Sequence, residues 1–442
     1  MTITKTGTFE HLLKDVQNML PQIIPKYSYI NKQGETISTM FMNKGVVKLP
    51  RNKTKLKHLF PKIKIVDKTV SQPLTTPLVF KNFSLRDYQQ KLLTEFLLKV
   101  KQGETDFMIE ANTGFGKSFI VPFFIEALNQ KTLILVDREF LLNQMVGEIE
   151  TNTNHKVNII NSKTTELDDI NICTLQMLNN NQHLFGLLNQ QIGLIVQDEA
   201  HIVGAETIKT TIQNLNAKYR IGLSATPTRS DGLNEVLFDL FETKLVGVAP
   251  PKVSIVATLI KSNSMIQAND YRKLITKLMK DNEELLDLLI HYLIKQNHQL
   301  LVAVNDKKWQ SYLAKKYKQY GTAVINSNTK KEDRQTILEL YDKGKIKILF
   351  GFGVLEKGIS IPEMSVLINF FSATTKEKIE QLLGRLNRES RTGKEKHYID
   401  FIFPMMMWKQ MEIKKGTLNK LKKKLKLKVK EVSSQFLLKN LM

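Results

Sequence analysis

Short apolar runs alternate with longer amphipathic stretches along most of the chain. Between residues 107 and 246 the runs FMIEA, TLILV, IGLIV and RIGLS are separated by helix-like segments such as SFIVPFFIEALN and REFLLNQMVGEI. A second series begins with LLVAV at 300–304 and continues with TAVIN, KILFG, SVLINF and HYIDFI. This rhythm is typical of parallel sheets covered by helices. Because Pro250 and Pro251 interrupt the pattern, the sequence predicts two α/β lobes joined by a linker.

The two ends of the chain have a different pattern. The first 82 residues contain the β-type alternation YSYINKQGETISTMFMNKGVVKLP, followed by the basic segment RNKTKLKHLFPKIKI. Near the other end, GTLNKLKKKLKLKVKEV alternates lysines with Leu and Val, which fits a solvated helix, an edge strand or a dedicated DNA contact. We therefore expect an α+β accessory DNA-binding domain at 1–82, lobes at 83–248 and 249–404, and a basic carboxyl-terminal tail at 405–442.

The net charge narrows the class of partner. Sixty-five Lys and Arg residues stand against 43 Asp and Glu residues, a formal charge of +22. A polyanionic partner such as nucleic acid explains this excess better than solubility does, because acidic residues serve solubility more effectively. The single cysteine, Cys173, excludes an intrachain disulfide, and its setting INICTLQ predicts a buried strand.

No segment predicts export or a membrane partner. The stretch MTITKTGTFEHLL lacks the apolar core of a secretion signal, and LLDLLIHYLI is too short to span a bilayer. We expect a cytoplasmic protein that acts as a monomer. Trp309 and Trp408 both lie among apolar residues and are interpreted as packing residues.

The strongest motif is ANTGFGKS at residues 111–118, between an apolar run and a helix-like stretch. Glycines in such a loop allow backbone amides to turn inward onto phosphates. Lys117 is expected to contact the β- and γ-phosphates of ATP, and the hydroxyl of Ser118 to ligate Mg²⁺ at the start of a helix. The nucleotide-binding residues predicted from this loop are Thr113, Gly114, Gly116, Lys117 and Ser118.

A second motif, LIVQDEAHIVG, ends an apolar strand in two carboxylates. Asp198 is expected to hold the Mg²⁺, and Glu199 to orient and deprotonate the water that attacks the γ-phosphate. Alone, this tetrapeptide also fits a polar strand-to-helix junction. Its position at the end of a neighbouring predicted strand, downstream of Lys117, favours the catalytic interpretation.

The ordered set of ANTGFGKS, DEAH and SATP resembles the superfamily 2 helicases, over residues 83–402. The resemblance implies two RecA-like lobes in tandem that use ATP and Mg²⁺ and bind nucleic acid. In FSLRDYQQ it implies adenine recognition by Arg86 and Gln89. It implies coupling between hydrolysis and movement for Ser224, Ala225 and Thr226.

The resemblance also assigns residues to nucleic acid and to the second lobe. It implies nucleic-acid contacts for Arg138 in ILVDREFLLNQ, Thr174 in ICTLQML and Gly358 in FGFGVLEKGIS. The element KIEQLLGRLNR is similar to the family's arginine-finger element, whose guanidinium groups stabilise charge developing on the γ-phosphate. Its implied catalytic residues are Gln381, Arg385 and Arg388.

Within the superfamily, GLSATPTRSDGL and LFETKLVGVAPPKV are similar to the phage UvsW-type and related branched-DNA helicases. That similarity implies unwinding or branch migration of forked and four-way DNA during replication, recombination or repair. A duplex-DNA translocase that separates no strands stays open as an alternative. An RNA helicase also stays open, because phosphate contacts dominate binding to either nucleic acid. The nuclease-like triplet Glu242-Thr243-Lys244 lacks a convincing partner carboxylate and is interpreted as structural.

Overall fold

A computed structural model describes residues 2–441 except for 32–33, 82–83, 112–114, 203–210, 226–233, 250–252, 267–269, 352–360, 362–363, 372–374, 388–392 and 405–406. The chain divides into two compact units, Met1–Ala249 and Pro250–Met442. Each unit contains a parallel sheet of seven described strands, and the first unit also holds a smaller mixed sheet. The predicted fold class, two RecA-like α/β lobes in tandem with a small amino-terminal α+β domain, is confirmed. Within the described ranges, no helix combines the length and the apolar run needed to cross a membrane.

The first unit begins with what we call the amino-terminal module, residues 2–67. Its elements are β1 (Thr2–Lys5), β2 (Phe9–Leu12), α1 (Leu13–Val16), α2 (Leu20–Lys26), β3 (Ser28–Ile30), β4 (Thr36–Ser38), β5 (Phe41–Asn43), β6 (Val46–Leu49), α3 (Lys53–Leu59) and β7 (Lys64–Asp67). Strands β5-β6-β2-β1-β7 form the mixed sheet, in which β1 and β7 are parallel and the other neighbours antiparallel. Phe9, Val47 and Leu56 are fully buried in a core of the module's own.

The rest of the first unit is the first lobe. Its elements are α4 (Asp87–Lys101), β8 (Asp106–Ala111), α5 (Lys117–Leu128), β9 (Thr132–Val136), α6 (Glu139–Asn152), β10 (Asn158–Ile159), β11 (Ile170–Thr174), α7 (Leu175–Asn180), α8 (Phe185–Gln191), β12 (Leu194–Gln197), β13 (Tyr219–Ser224), α9 (Asn234–Leu240) and β14 (Thr243–Gly247). The strand order is β10-β11-β9-β12-β13-β8-β14. The apolar runs form strands because helices cover both faces of the sheet. Cys173 is fully buried in β11, as predicted, and burial raises the pKa of its thiol to about 12.

The second unit is the second lobe. Its elements are β15 (Ile255–Lys261), α10 (Tyr271–Asp281), α11 (Glu283–Lys295), β16 (Leu300–Ala303), α12 (Lys307–Lys316), β17 (Thr322–Ile325), α13 (Lys331–Asp342), β18 (Ile348–Gly351), β19 (Val366–Asn369), α14 (Lys376–Leu386), β20 (Lys396–Ile402), α15 (Trp408–Lys424), β21 (Leu427–Ser433) and α16 (Ser434–Leu441). The strand order is β17-β18-β16-β19-β20-β15-β21. The lysine-rich segment forms two of the structures that its sequence allowed: its first half is the end of α15, and its second half is the edge strand β21, which pairs in parallel with β15.

Helix α15 is fixed to this lobe through a buried ion pair. The Lys414 ammonium lies 2.7 Å from Asp400 and donates to the carbonyl oxygen of Phe401 at 2.8 Å. Asp400 also accepts hydrogen bonds from the Tyr398 hydroxyl at 2.7 Å and the Asn369 amide at 3.0 Å. The carboxyl-terminal segment is therefore a part of the second lobe's core and not a detached tail.

The two tryptophans have different environments. Trp309 is 8% exposed and packs in the core of the second lobe, as predicted. Trp408 is 58% exposed, so its interpretation as a packing residue is wrong. Met407, directly before α15, and Met411, four residues later, line the cleft beneath the helix. Position 408 falls on the neighbouring face of the helix, which the apolar composition of the segment did not reveal.

The amino-terminal module is attached to the amino-terminal edge of the first lobe's large sheet. The buried guanidinium of Arg51 lies 3.0 Å from Asp106, the first residue of β8, and donates to the carbonyl oxygen of Ala217 at 2.6 Å. From β13, Arg220 donates to the carbonyl oxygen of Gly7 at 2.7 Å. These buried charge-assisted hydrogen bonds hold the module against the starts of β8 and β13.

Glu242 contributes a further attachment. Its carboxylate accepts hydrogen bonds from the backbone amides of Lys53 and Thr54, both at 2.8 Å, in the first turn of α3. A carboxylate at this position satisfies amides that have no partner within the helix. Thr243 and Lys244, the other two residues of the nuclease-like triplet, begin β14. The triplet is therefore structural, as interpreted from the sequence.

Candidate functional site

Three adjacent parallel strands bring the predicted motifs to one edge of the first lobe. Strand β8 ends at Ala111, in the phosphate loop (residues 111–118), and its neighbour β13 ends at Ser224. Strand β12, on the other side of β13, ends at Gln197, directly before Asp198. Because the carboxyl ends of parallel strands meet at the same edge, Ala111, Ser224 and the carboxylates converge there. The amino-terminal module lies at the opposite edge.

The last residues of the phosphate loop before α5, Phe115 and Gly116, are held in place by the buried ring of Phe115. Phe115 is fully buried, and its ring makes an edge contact with Tyr88 of α4, with centroids 5.3 Å apart. A Cβ added to Gly247 at the end of β14 would lie 2.6 Å from that ring, so glycine leaves the space that Phe115 occupies. Gly116 has a φ of +84°, which side chains rarely adopt. The loop is thereby fixed immediately before α5 begins.

Lys117 and Ser118 occupy the first turn of α5, where the helix dipole favours anions. The ammonium of Lys117 lies 3.4 Å from Glu199, and the Ser118 hydroxyl donates to Glu148 of α6 at 3.1 Å. The loop lysine and the catalytic carboxylate predicted from the sequence are thus brought together. Glu148 was not predicted, because no local pattern indicates which residue of a helix faces a loop 30 positions away. The predicted nucleotide-binding residues Thr113 and Gly114 lie outside the described residues.

The two carboxylates differ in their surroundings. Glu199 has a φ of +47°, a left-handed conformation that is uncommon outside glycine and that typically costs about 1 to 3 kcal/mol. Its backbone amide donates to the carboxylate of Asp198 at 2.9 Å. Removal from water, and then the negative charge of Glu199, raise the pKa of Asp198 to about 6, against the opposing effect of Lys117. A nearby cation would favour the ionised form of this carboxyl group.

His201 joins the second motif to the third. Its Nδ1 lies 3.3 Å from the carboxylate of Glu199 and 2.9 Å from the hydroxyl of Ser224, which is fully buried. A continuous polar path therefore runs from Lys117 through Glu199 and His201 to Ser224. The sequence contained the signal for this residue, since His201 is the last residue of the DEAH tetrapeptide.

The oxygen groups at this edge fit a magnesium ion in their chemistry. Ser118 offers a hydroxyl oxygen and Asp198 a carboxylate, and Mg²⁺ prefers hard oxygen ligands with several waters retained. The single cysteine of the chain lies in β11, and neither predicted metal ligand is a sulfur or nitrogen donor. The residues present therefore suit the hard divalent cation that accompanies a nucleotide triphosphate.

Two family comparisons cover most of both lobes. Residues 82–229 match the family described as "Type III restriction enzyme, res subunit", and residues 281–390 match "Helicase conserved C-terminal domain". The first match contains the phosphate loop and the DEAH motif, and the second contains Gln381 and Arg385. The chain belongs to the superfamily 2 helicases. It is an ATP-dependent helicase, and nucleic acid is its partner.

Individual relatives agree with this family. The helicase is 26% identical over 339 residues to "Probable helicase D10" of Escherichia phage T5, covering 74% of this chain and 72% of that protein. It is 23% identical over 375 residues to "DNA 3'-5' translocase XPB2" of Sulfurisphaera tokodaii, covering 73% of this chain and 83% of that protein. The solved structure of S. cerevisiae Dbp5 bound to RNA and ADP BeF3 superposes with a TM-score of 0.53 at 16% identity, covering 81% of this chain and 98% of that one. That structural likeness concerns the fold.

The residues predicted for adenine recognition lie beside the phosphate loop of the helicase. Gln89 is 2% exposed, and its amide nitrogen donates to the carbonyl oxygen of Phe115 at 2.8 Å. Its amide oxygen accepts a hydrogen bond from the backbone of Arg86 at 3.1 Å. The Arg86 guanidinium donates to the Tyr88 hydroxyl at 2.9 Å. Gln89 thus links the start of α4 to the loop, in addition to any contact with a base.

The predicted nucleic-acid contacts of the first lobe follow two strands of the same edge. Arg138 follows β9, its side chain is 58% exposed, and its Nε lies 3.1 Å from Asp137. Thr174 ends β11, and its hydroxyl caps α7 by accepting from the amide of Met177 at 3.2 Å. Arg138 is therefore available to a ligand, whereas Thr174 has a local structural partner.

The second lobe carries the predicted arginine-finger element on α14. Gln381 and Arg385 lie four residues apart on this helix, and Arg385 is 9% exposed in its last turn. Their contribution to hydrolysis stays a prediction. Ala225 ends the described part of the SAT element. In addition to Thr113 and Gly114, three more predicted site residues lie outside the described residues: Arg388, Gly358 and Thr226.

Proposed function

We propose that this helicase acts on DNA and remodels forked or branched molecules during replication, recombination or repair, by unwinding or by branch migration. The observation that carries the proposal is a basic α+β module fixed to the motor lobe of a chain with a net charge of +22. The relative XPB2 is named as a DNA translocase, which supports DNA over RNA. The similarity of two segments to UvsW-type helicases supports branched substrates.

The amino-terminal module is suited to a second contact with DNA. Exposed lysines lie on α3, on β7 and in the adjoining turns: Lys57, Lys62, Lys64 and Lys68. Because the module is attached at the sheet edge opposite the phosphate loop, DNA bound there lies away from the nucleotide. Such a contact extends the footprint to another arm of a branched molecule. We keep the boundaries at residues 82 and 248 as part of this proposal.

In the proposed mechanism, Lys117 binds the β- and γ-phosphates, and Glu199 orients and deprotonates the attacking water. Bound at Ser118 and Asp198, Mg²⁺ would neutralise charge on the phosphates. Phosphate binding must draw Lys117 away from Glu199, which frees that carboxylate to act on water. His201 would report this change to Ser224, and so couple hydrolysis to movement. Gln381, Arg385 and Arg388 stabilise the transition-state charge, as the family resemblance implies.

One assay panel tests the proposal. ATP hydrolysis and strand separation are measured on single-stranded, blunt, forked and four-way DNA and on RNA, at several salt concentrations. We expect forked and four-way DNA to stimulate hydrolysis most, and the affinity to fall steeply with salt, since each neutralised phosphate releases counterions. The Lys117→Ala variant should bind DNA but consume no ATP. Deleting residues 1–80 should weaken binding to branched DNA more than basal hydrolysis.

The same panel identifies the alternatives. Stimulation by blunt duplex without strand separation on any substrate would indicate a duplex translocase. Preferential stimulation by RNA would indicate an RNA helicase. Normal ATP turnover by the Lys117→Ala variant would contradict the assignment of the nucleotide site itself.

A further inference from the structure

Two exposed aromatic side chains lie at the starts of neighbouring helices, at the carboxyl edge of the second lobe's sheet. Trp408 is 58% exposed and Tyr271 is 52% exposed, and they are the first residues of α15 and α10. These helices follow β20 and β15, neighbouring parallel strands whose last residues, Ile402 and Lys261, are register partners. The Gln410 side chain donates to the Tyr271 hydroxyl at 3.1 Å, which joins the starts of the two helices.

Packing does not account for these two rings. The cleft between α10, α15 and the sheet edge is lined by other apolar side chains, among them Ile275, Phe403 and Met407. The Trp408 ring has a cation for a neighbour, since the Lys409 ammonium lies 6.0 Å from its centroid. Single exposed apolar residues are common on protein surfaces, but two exposed aromatic residues at neighbouring helix starts, with a cation beside the Trp408 ring, provide the groups of a binding site.

The charges around the rings favour a polyanion. Arg272, Lys273 and Lys409 are exposed next to the two aromatic residues. Two carboxylates lie nearby, and one of them, Asp270, accepts a hydrogen bond from the backbone amide of Lys273 at 3.2 Å. The other is Glu412, one turn along α15. Aromatic rings accept stacked bases of any sequence, and adjacent cations contact the phosphates between them.

We propose that Trp408 and Tyr271 form a stacking site for the bases of single-stranded DNA, with Arg272, Lys273 and Lys409 contacting the phosphates. The site rests on the proposed function, because it assumes that DNA is the polymer to which the helicase binds. Double-stranded DNA does not fit, since its bases are stacked on one another and present no free face to an indole.

The site is connected to the arginine-finger helix. Helix α15 packs against α14, which carries Gln381 and Arg385. Lys414 of α15 also pairs with Asp400, to which Asn369 at the end of β19 is hydrogen bonded. A DNA strand stacked on Trp408 therefore contacts the helix that packs against α14. Loss of this stacking should lower DNA-stimulated ATP hydrolysis more than basal ATP hydrolysis.

The test compares Trp408→Ala with a matched control in the full chain. Phe436 lies on α16 and is 59% exposed, almost the same as Trp408, so Phe436→Ala removes an equally exposed ring elsewhere on the lobe. We expect Trp408→Ala to weaken binding of an oligothymidine strand by about 5- to 100-fold, with Trp408→Phe retaining most of the affinity. Phe436→Ala should bind the strand with the affinity of the wild type. Neither variant should change ATP hydrolysis in the absence of DNA. On an abasic strand of the same length, Trp408→Ala and the wild type should bind equally.

Fluorescence gives an independent readout, because the chain has two tryptophans and Trp309 is buried. Stacking should quench the emission of the wild type, and Trp408→Phe should abolish the quenching while binding persists. Equal binding of oligothymidine by Trp408→Ala and the wild type overturns the inference, as does an equal loss on the abasic strand. A loss confined to RNA overturns the choice of DNA. A wild type that binds no nucleic acid refutes the proposed function instead.

Discussion

Replacing Lys414 by Met should destabilise the second lobe strongly. The Lys414 side chain is 7% exposed and that of Asp400 is 1% exposed, and their charged atoms are 2.7 Å apart. The variant leaves Asp400 with hydrogen bonds from Tyr398 and Asn369 but without a cation. Removing one partner of a buried ion pair typically costs about 3 to 5 kcal/mol, because the remaining charge has no compensation.

That cost converts to a large change in melting temperature. For a lobe of this size, each kcal/mol lowers Tm by about 2 to 4 °C, so the expected decrease is about 6 to 20 °C. Tryptophan emission is a lobe-specific probe, since both tryptophans of the chain, Trp309 and Trp408, lie in the second unit. Thermal unfolding followed by this emission therefore reports on the second lobe without a contribution from the first.

The neighbouring lysine provides the control. Lys415 pairs with Glu431 at 2.8 Å, with side chains 27% and 32% exposed, and such surface pairs contribute about 0 to 1 kcal/mol. Lys415→Met should therefore lower Tm by no more than about 4 °C. The double variant Asp400→Asn, Lys414→Met should recover part of the loss, because the buried charge is removed. Equal melting temperatures for Lys414→Met and Lys415→Met would refute the reasoning.

Three other predictions concern the first unit. Glu199→Gln should stop ATP hydrolysis, measured in a single-turnover assay, and leave nucleotide binding intact, measured by filter binding. Hydrolysis that survives while binding is lost would contradict the role of Glu199 in activating water. Gly247→Ala places a Cβ 2.6 Å from the Phe115 ring, so it should destabilise the phosphate loop by about 1 to 3 kcal/mol and weaken ATP binding. Gly416→Ala is the control, because its added Cβ would have no atom within 4 Å, and it should have neither effect. Burial, and then Arg51, lower the pKa of Lys5 from 10.5 to about 8 in the folded protein. Between about pH 8 and 10.5, Lys5 is therefore protonated in the unfolded chain but largely neutral in the folded protein. Titration of Lys5 makes the free energy of unfolding rise with pH in this range. Lys5→Met should be more stable than the wild type at pH 7 in urea denaturation, with an advantage that shrinks by pH 10; a pH-independent difference would argue against this.

Much of the fold follows from local patterns in the sequence. The apolar runs TLILV and HYIDFI form β9 and β20. These strands could be predicted because a strand that is buried on both faces has a short, nearly continuous apolar sequence. The order of the motifs placed Lys117 and Glu199 at one edge of a sheet, and their side chains do meet there. Such features depend on residues close in sequence and on the direction of parallel strands.

Other features depend on which distant surfaces meet. The attachment of the amino-terminal module rests on Arg51 and Asp106, which have no common local pattern. Glu148 contacts Ser118 because two helices pack together, and the sequence of neither helix shows it. Trp408 lies in the apolar segment FPMMMW, where composition predicts burial but only the helical phase decides which side chain faces inward.

Strand β15 has consequences for how the second lobe is synthesised. It lies between β20 and β21, and Ser254 beside it bonds to the carbonyl oxygen of Lys426, 172 residues later. During translation, β15 emerges with both hydrogen-bonding edges unpaired, and it stays so until nearly all of the lobe has been made. Until then, the unpaired backbone groups of this Val- and Ile-containing strand can form hydrogen bonds with strands of other nascent chains. The chain should therefore rely on rapid production or on chaperones for this lobe, while the first lobe completes its sheet before β15 is synthesised.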